Sequence, residues 1–169
     1  MDYLGDERMS IEENVMQLRC TPSPFRTYHL PDVLYSNQRL ILNLHDRIVT
    51  LVDDADGISA QTCLSAQAWA VTLALLDAHP APCPQAVLYA AFAGVELDAA
   101  QDILKALFDA GVLDQALRNG LHEALAGCRA QLAAFNLGIQ PVPEEEGYRL
   151  FRLSLVQCDN ILVRKRRTT

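Results

Sequence analysis

From Arg39 the chain alternates. Leu40, Leu42 and Leu44 fall on one side and Ile41 and Asn43 on the other; after His45-Asp46-Arg47, the run Ile48-Val49-Thr50-Leu51-Val52 alternates again. A period of two belongs to strands, whose successive side chains point to opposite faces, so the two runs predict a β-hairpin. Asp53-Asp54-Ala55-Asp56-Gly57 follows as a turn rich in residues that bond their own backbone, and Ile58 to Cys63 as a returning strand. The period then lengthens. Ser65 is suited to cap a helix reaching about Ala78, with Trp69, Leu73 and Leu76 at helical spacing, and Pro80, Pro82 and Pro84 bar its continuation. Pro84 suits the first turn of a helix from Gln85 to Ala93 that Gly94 stops. Asp98 is placed to cap a third from Ala99 to Ala110, striped by Ile103, Leu104, Leu107 and Phe108 and ended by Gly111. Asp114 or Asn119 opens a fourth, through Phe135, with Leu121, Leu125, Cys128 and Leu132 three or four apart and Gly120 and Gly127 weakening it.

Residues 1 to 36 carry no such period. They predict an N-terminal arm, with a short helix from Ser10 to Leu18 and then extended chain, because the prolines of Thr21-Pro22-Ser23-Pro24 bias their predecessors away from helix. The domain division is therefore an arm over 1–36, one folded domain over 37–156, and a basic C-terminal tail over 157–169.

Charge sharpens this division. The 169 residues sum to −7, but Arg164, Lys165, Arg166 and Arg167 contribute +4, which leaves −11 elsewhere. An acidic body with one basic end argues against a wide nucleic-acid-binding face and for a local one. The five cysteines, Cys20, Cys63, Cys83, Cys128 and Cys158, show no Cys-x-x-Cys pair or metal-ligand spacing, so free thiols in a reducing compartment are expected and no metal. Neither a basic and apolar leader nor a run long enough to span a bilayer appears, which predicts a cytoplasmic protein without membrane contact. Ser, His and Asp are scattered without a nucleophile elbow, and no glycine-rich phosphate loop exists. The chain is not expected to be an enzyme or to hold a cofactor.

The segment after the last helix is the most specific. Leu137-Gly138-Ile139-Gln140-Pro141-Val142 leads through Glu144-Glu145-Glu146 to Gly147-Tyr148-Arg149-Leu150, two short strands around a tight acidic loop. The Gly-Tyr-Arg-Leu ending resembles the last strand of the OmpR/PhoB-type winged-helix family; Cys63 to Trp69 is similar to the start of that family's first helix, and His79-Pro80 to its end. The resemblance covers about Arg39 to Leu153. It implies an α+β winged helix-turn-helix with N-terminal antiparallel strands, three core helices and a C-terminal β-hairpin wing; the 36 residues ahead of it are too few for a receiver domain, so none is expected. The helix from Asp98 to Ala110 is an insertion in that plan, to be added to the core or offered to a partner.

The family implies DNA as ligand, read here by Arg118, Asn119, His122 and Arg129 on the recognition helix, by Arg149 on the last strand, and by Arg164, Lys165, Arg166 and Arg167. Each has a plainer reading: a solvated helix face for the first four, a surface partner of Glu145 or Glu146 for Arg149, a solubilising end for the tail. The helix is poor in Lys and Arg, and the loop that meets phosphate in the family carries three glutamates here. Two functions therefore stand: a transcriptional regulator binding DNA as a dimer, and a non-catalytic adaptor or anti-regulator contacting the transcription machinery or another regulator. Either the inserted helix or the arm, through Met16, Leu18, Phe25, Tyr28 and Leu30, is expected to pack between protomers of a homodimer.

Overall fold

The computed structural model describes residues 23–153. The expectations for Ser10 to Leu18, for the stretch after Leu153 and for Arg164 to Arg167 lie outside them. The chain is mixed α+β: a four-stranded antiparallel sheet, helices, and a small second sheet.

The first sheet is a meander in the order β1 (Phe25–Tyr28), β2 (Gln38–Asn43), β3 (Ile48–Asp53) and β4 (Gly57–Cys63). The alternation works as expected. Leu40 faces Leu51 and Leu42 faces Val49 across β2 and β3, and all four are buried, so these cross-strand pairs fix the register. In the turn, Asp53 accepts from the Ala55 amide at 2.9 Å and from Asn37 Nδ2 at 2.8 Å, and Gly57 supplies a positive φ of 78°. The Ala55 amide, with Gln38, Asp56 and Asn37, holds the Asp53 carboxyl below the usual range.

The extended arm is corrected from Phe25 onward. β1 pairs with β2, and Leu30, Val33 and Leu34 enter the same core as Leu40 and Trp69. Leu30 is thus an interior residue rather than part of an exposed dimer contact. Tyr28 is half-buried, donates to Asp77 Oδ1 at 2.5 Å, and has its phenol pKa raised by burial; Arg26 pairs with Asp77 at 3.3 Å. Arg152 closes the other side, its guanidinium donating to the carbonyls of Val33 (3.2 Å) and Leu34 and lying 4.5 Å over the Tyr35 ring.

Helix α1 (Ala66–Ala78) starts where Ser65 Oγ accepts from the Ala68 amide at 3.3 Å. It ends at His79, whose ring is 9 % exposed with Nε2 3.7 Å from Asp32 Oδ2. Helix α2 (Gln85–Ala93) stops at Gly94, in the left-handed conformation. Helix α3 (Leu97–Asp109) begins after Glu96, not at an Asp98 cap; Asp98 lies in its first turn.

The last helical column departs most. It comprises α4 (Leu113–Leu117), a π turn (Arg118–His122) and α5 (Glu123–Leu132), so Asn119 starts no helix but sits inside the π turn. The buried residues are Leu117, Leu121, Leu125, Cys128 and Leu132. The spacing runs four, four, three and four, which keeps these side chains within about 80° of one another on an ordinary α-helix, and the π turn is a local widening of that column. Gly120 lets the turn pack closely on α2: a Cβ there would stand 3.2 Å from the Phe92 ring.

The second sheet has the order β5 (Cys83–Pro84), β7 (Gly147–Arg152), β6 (Leu137–Val142), all antiparallel. β6 and β7 are the expected hairpin. β5, only two residues long, was not legible as a strand.

Candidate nucleic-acid interface and the groove beside it

Arg118, Asn119 and His122 are brought together on the exposed side of the π turn. Their surroundings differ. Asn119 Oδ1 accepts from Gln115 Nε2 at 3.1 Å, and the His122 ring meets Tyr148 edge-on with centroids 6.4 Å apart. Asp114 and Glu123 share the exposed surface of this column. A recess of about 370 Å³ lies at the turn, lined by Gln67, Phe92, Asn119, Gly120, Glu123 and Ala124.

Arg129 is apart from these three. It is half-buried, and its Nε donates to the Ile139 carbonyl at 2.9 Å, tying α5 to β6. Arg149 is exposed, but its partner is across the hairpin: Gln140 is its register neighbour, and with its amide oxygen turned inward Gln140 accepts from Arg149 Nε at 2.8 Å and Nη2 at 3.1 Å. Both arginines therefore have structural acceptors, and that of Arg149 is an amide rather than Glu145 or Glu146. The basic run Arg164 to Arg167 falls outside the described residues.

The hairpin loop is built rigidly. Pro143–Glu145 form one 3₁₀ turn, Glu146 takes a left-handed φ of 45°, its amide donates to the Pro143 carbonyl at 3.3 Å, and its carbonyl accepts from the Gln85 amide at 3.0 Å. Glu144, Glu145 and Glu146 are all exposed. Gly147 follows because nothing larger fits: a Cβ would lie 2.6 Å from the Cys83 carbonyl oxygen.

Beside this loop the sequence reading missed a groove. It has a volume of about 620 Å³ between α3 and the hairpin, lined by Leu104, Phe108, Leu113, Val142 and Tyr148 with Glu146 at its edge. The apolar stripe of α3 was legible, but not that the fold half-buries Leu104 and Leu107 and leaves Phe108 and Ile103 exposed. Ala100 is the one buried residue of α3, whereas Phe108 is 70 % exposed and Leu97 41 %.

Among the described residues, Cys83 and Cys128 are buried thiols whose pKa burial raises to about 11, Cys63 is exposed, and no helix is long and apolar enough to cross a membrane. Compared with protein-family models, with curated proteins and with solved structures, the chain matches none of them.

Proposed function

We propose that the chain is a winged-helix-type module of transcriptional control that works through protein contacts: an adaptor or anti-regulator, not a reader of base sequence. The element order supports the winged-helix part, with a leading meander, helices and a hairpin whose β7 lies between β5 and β6. One observation carries the functional part. The loop that would approach phosphate carries Glu144, Glu145 and Glu146 on a pinned turn, while Arg129 and Arg149 are committed to Ile139 and Gln140. Like charge at the backbone opposes binding, and each missing phosphate contact removes counterion release worth about 0.9 in the salt slope. The surface offered instead is the groove beside α3.

The test is retention of a pool of genomic duplex fragments by the full chain at low and moderate salt, repeated with Glu144, Glu145 and Glu146 changed to Gln. We expect no sequence-selective retention and no change in selectivity on neutralising the loop. Selective binding that survives moderate salt and tightens in the Gln variant would overturn the reading.

A second reading, a DNA-binding regulator, is favoured by Arg118, Asn119 and His122 standing exposed on one turn. Arg164, Lys165, Arg166 and Arg167 would then add phosphate contacts. Under it, Arg118→Ala costs roughly 1–3 kcal/mol at a preferred site, and removing the basic run weakens all sequences alike.

A further inference from the structure

We propose that the groove between α3 and the β6–β7 hairpin is the docking site of this chain's own segment 161–167, Ile161-Leu162-Val163-Arg164-Lys165-Arg166-Arg167. The groove has an apolar floor and an acidic mouth. Leu104, Phe108, Leu113, Val142 and Tyr148 line it, Glu146 stands at its edge, and Glu144 and Glu145 precede Glu146 on the same turn. Lys105 also lines it, but Asp102 and Asp109 lie three residues before and four after on the same helix, so its charge is locally offset.

The complementary occupant joins an apolar anchor to a block of positive charge. Ile161-Leu162-Val163 followed at once by Arg164-Lys165-Arg166-Arg167 has that composition and order, and the chain has no other run of four basic residues. The geometry allows it to dock in cis. Leu153 follows the end of β7, and the groove lies at the other end of that strand, beside Gly147 and Val142. A six-residue strand is about 20 Å long, and the eight residues from Leu153 to Ile161 span up to about 26 Å, enough to return along it. A tether of that length holds the segment at a millimolar-range effective concentration, so a weak apolar contact with screened ion pairs keeps the groove filled. The proposal rests on the reading of this groove as a protein-contact surface: the segment occupies it until a partner displaces the segment, and a second copy of the chain is an outcome the test separates.

The experiment uses the full ¹⁵N-labelled chain. One variant changes Arg164, Lys165, Arg166 and Arg167 to Gln, and another changes Ile161, Leu162 and Val163 to Ser; neither touches the described fold, and circular dichroism checks that it is unchanged. We expect both to shift the amide resonances of Leu104, Phe108, Leu113, Val142 and Tyr148 while sparing β2 and β3. Binding of the dye anilinonaphthalene sulfonate should rise several-fold as the floor is uncovered, and moderate salt should produce part of the same change in the wild type. Spectra of either variant that superimpose on the wild type at the groove would overturn the proposal. So would groove shifts that vanish on dilution with a matching fall in sedimenting mass, which would assign the groove to a second copy. Neither result bears on duplex retention, so the proposed function fails or stands separately.

Discussion

Gly147→Ala and Gly127→Ala add the same methyl group and should move stability in opposite directions. At Gly147 the new Cβ would meet the Cys83 carbonyl oxygen at 2.6 Å and its carbon at 3.2 Å, where ordinary contact begins near 3.4 Å. The obstacle is backbone, so no side chain can swing away. β5 must retreat by roughly 0.8 Å from β7, against the pairs Cys83↔Tyr148 and Pro84↔Gly147 and the hydrogen bond from the Gln85 amide to the Glu146 carbonyl. Overpacking of this kind costs about 1–3 kcal/mol, and one weakened backbone bond adds about 1, giving a loss of roughly 2–4 kcal/mol. At Gly127, inside α5, nothing lies within 4 Å of the added Cβ, and replacing a helical glycine gains about 0.5–1 kcal/mol. Urea unfolding followed by the single tryptophan, Trp69, which is buried, reads both. With a slope of about 2 kcal/mol/M, the Gly147→Ala midpoint should fall by about 1–2 M and the Gly127→Ala midpoint should rise by a few tenths. A Gly147→Ala protein within about 0.5 kcal/mol of wild type, inside the range of an ordinary surface change, would refute the account of why the hairpin needs glycine there.

Three further outcomes follow from the same structure. Site-resolved alkylation at pH 8 should label Cys63 quickly and leave Cys83 and Cys128 unmodified until the chain unfolds, because burial holds the latter pair near pKa 11; early labelling of Cys128 would contradict its place between α5 and α1. Asp53→Asn should be less stable than wild type at neutral pH, and the gap should close as the medium is acidified from about pH 5 downward. The folded pKa is depressed, so the carboxylate's contribution is complete above its unfolded pKa and is lost as pH falls through the folded one; urea midpoints across that range check it. Arg129→Ala should lower stability by about 1–2 kcal/mol through loss of the bond to the Ile139 carbonyl, whereas a change in duplex retention with no change in urea midpoint would return Arg129 to the base-reading set.

Local signals carried most of the fold. The alternation at Leu40 to Val52, the Ser65 cap, Pro84 and Gly94 around α2, and Gly111 after α3 each act over a few residues, and each stands where the pattern puts it. What escaped depends on distant partners. β1 is four residues long and largely exposed, and prolines precede it; pairing with β2 makes it a strand, which no local period announces. β5 is two residues captured by β7. The π turn was hidden because the spacing of Leu117, Leu121, Leu125, Cys128 and Leu132 is that of an ordinary helical stripe and announces no wider turn.

The site was less legible, because a sequence displays charges but not their acceptors. Arg129 reads as part of a solvated helix face and Arg149 as a partner of Glu145 or Glu146, whereas their acceptors are the Ile139 carbonyl, ten residues on, and Gln140, across the hairpin. The acidic loop poses the reverse case. Three glutamates in a row read as a solvated turn whose charge opposes phosphate, but not that Glu146 is held by a left-handed turn and by its carbonyl bond to the Gln85 amide. The turn cannot swing away from whatever approaches the hairpin without breaking that bond. A phosphate backbone would meet negative charge there, while a segment with an apolar face and a basic flank would gain both from the loop and from the exposed Phe108. On the proposed reading, it is the fixed backbone of this loop together with its charge that would favour positive partners at the hairpin.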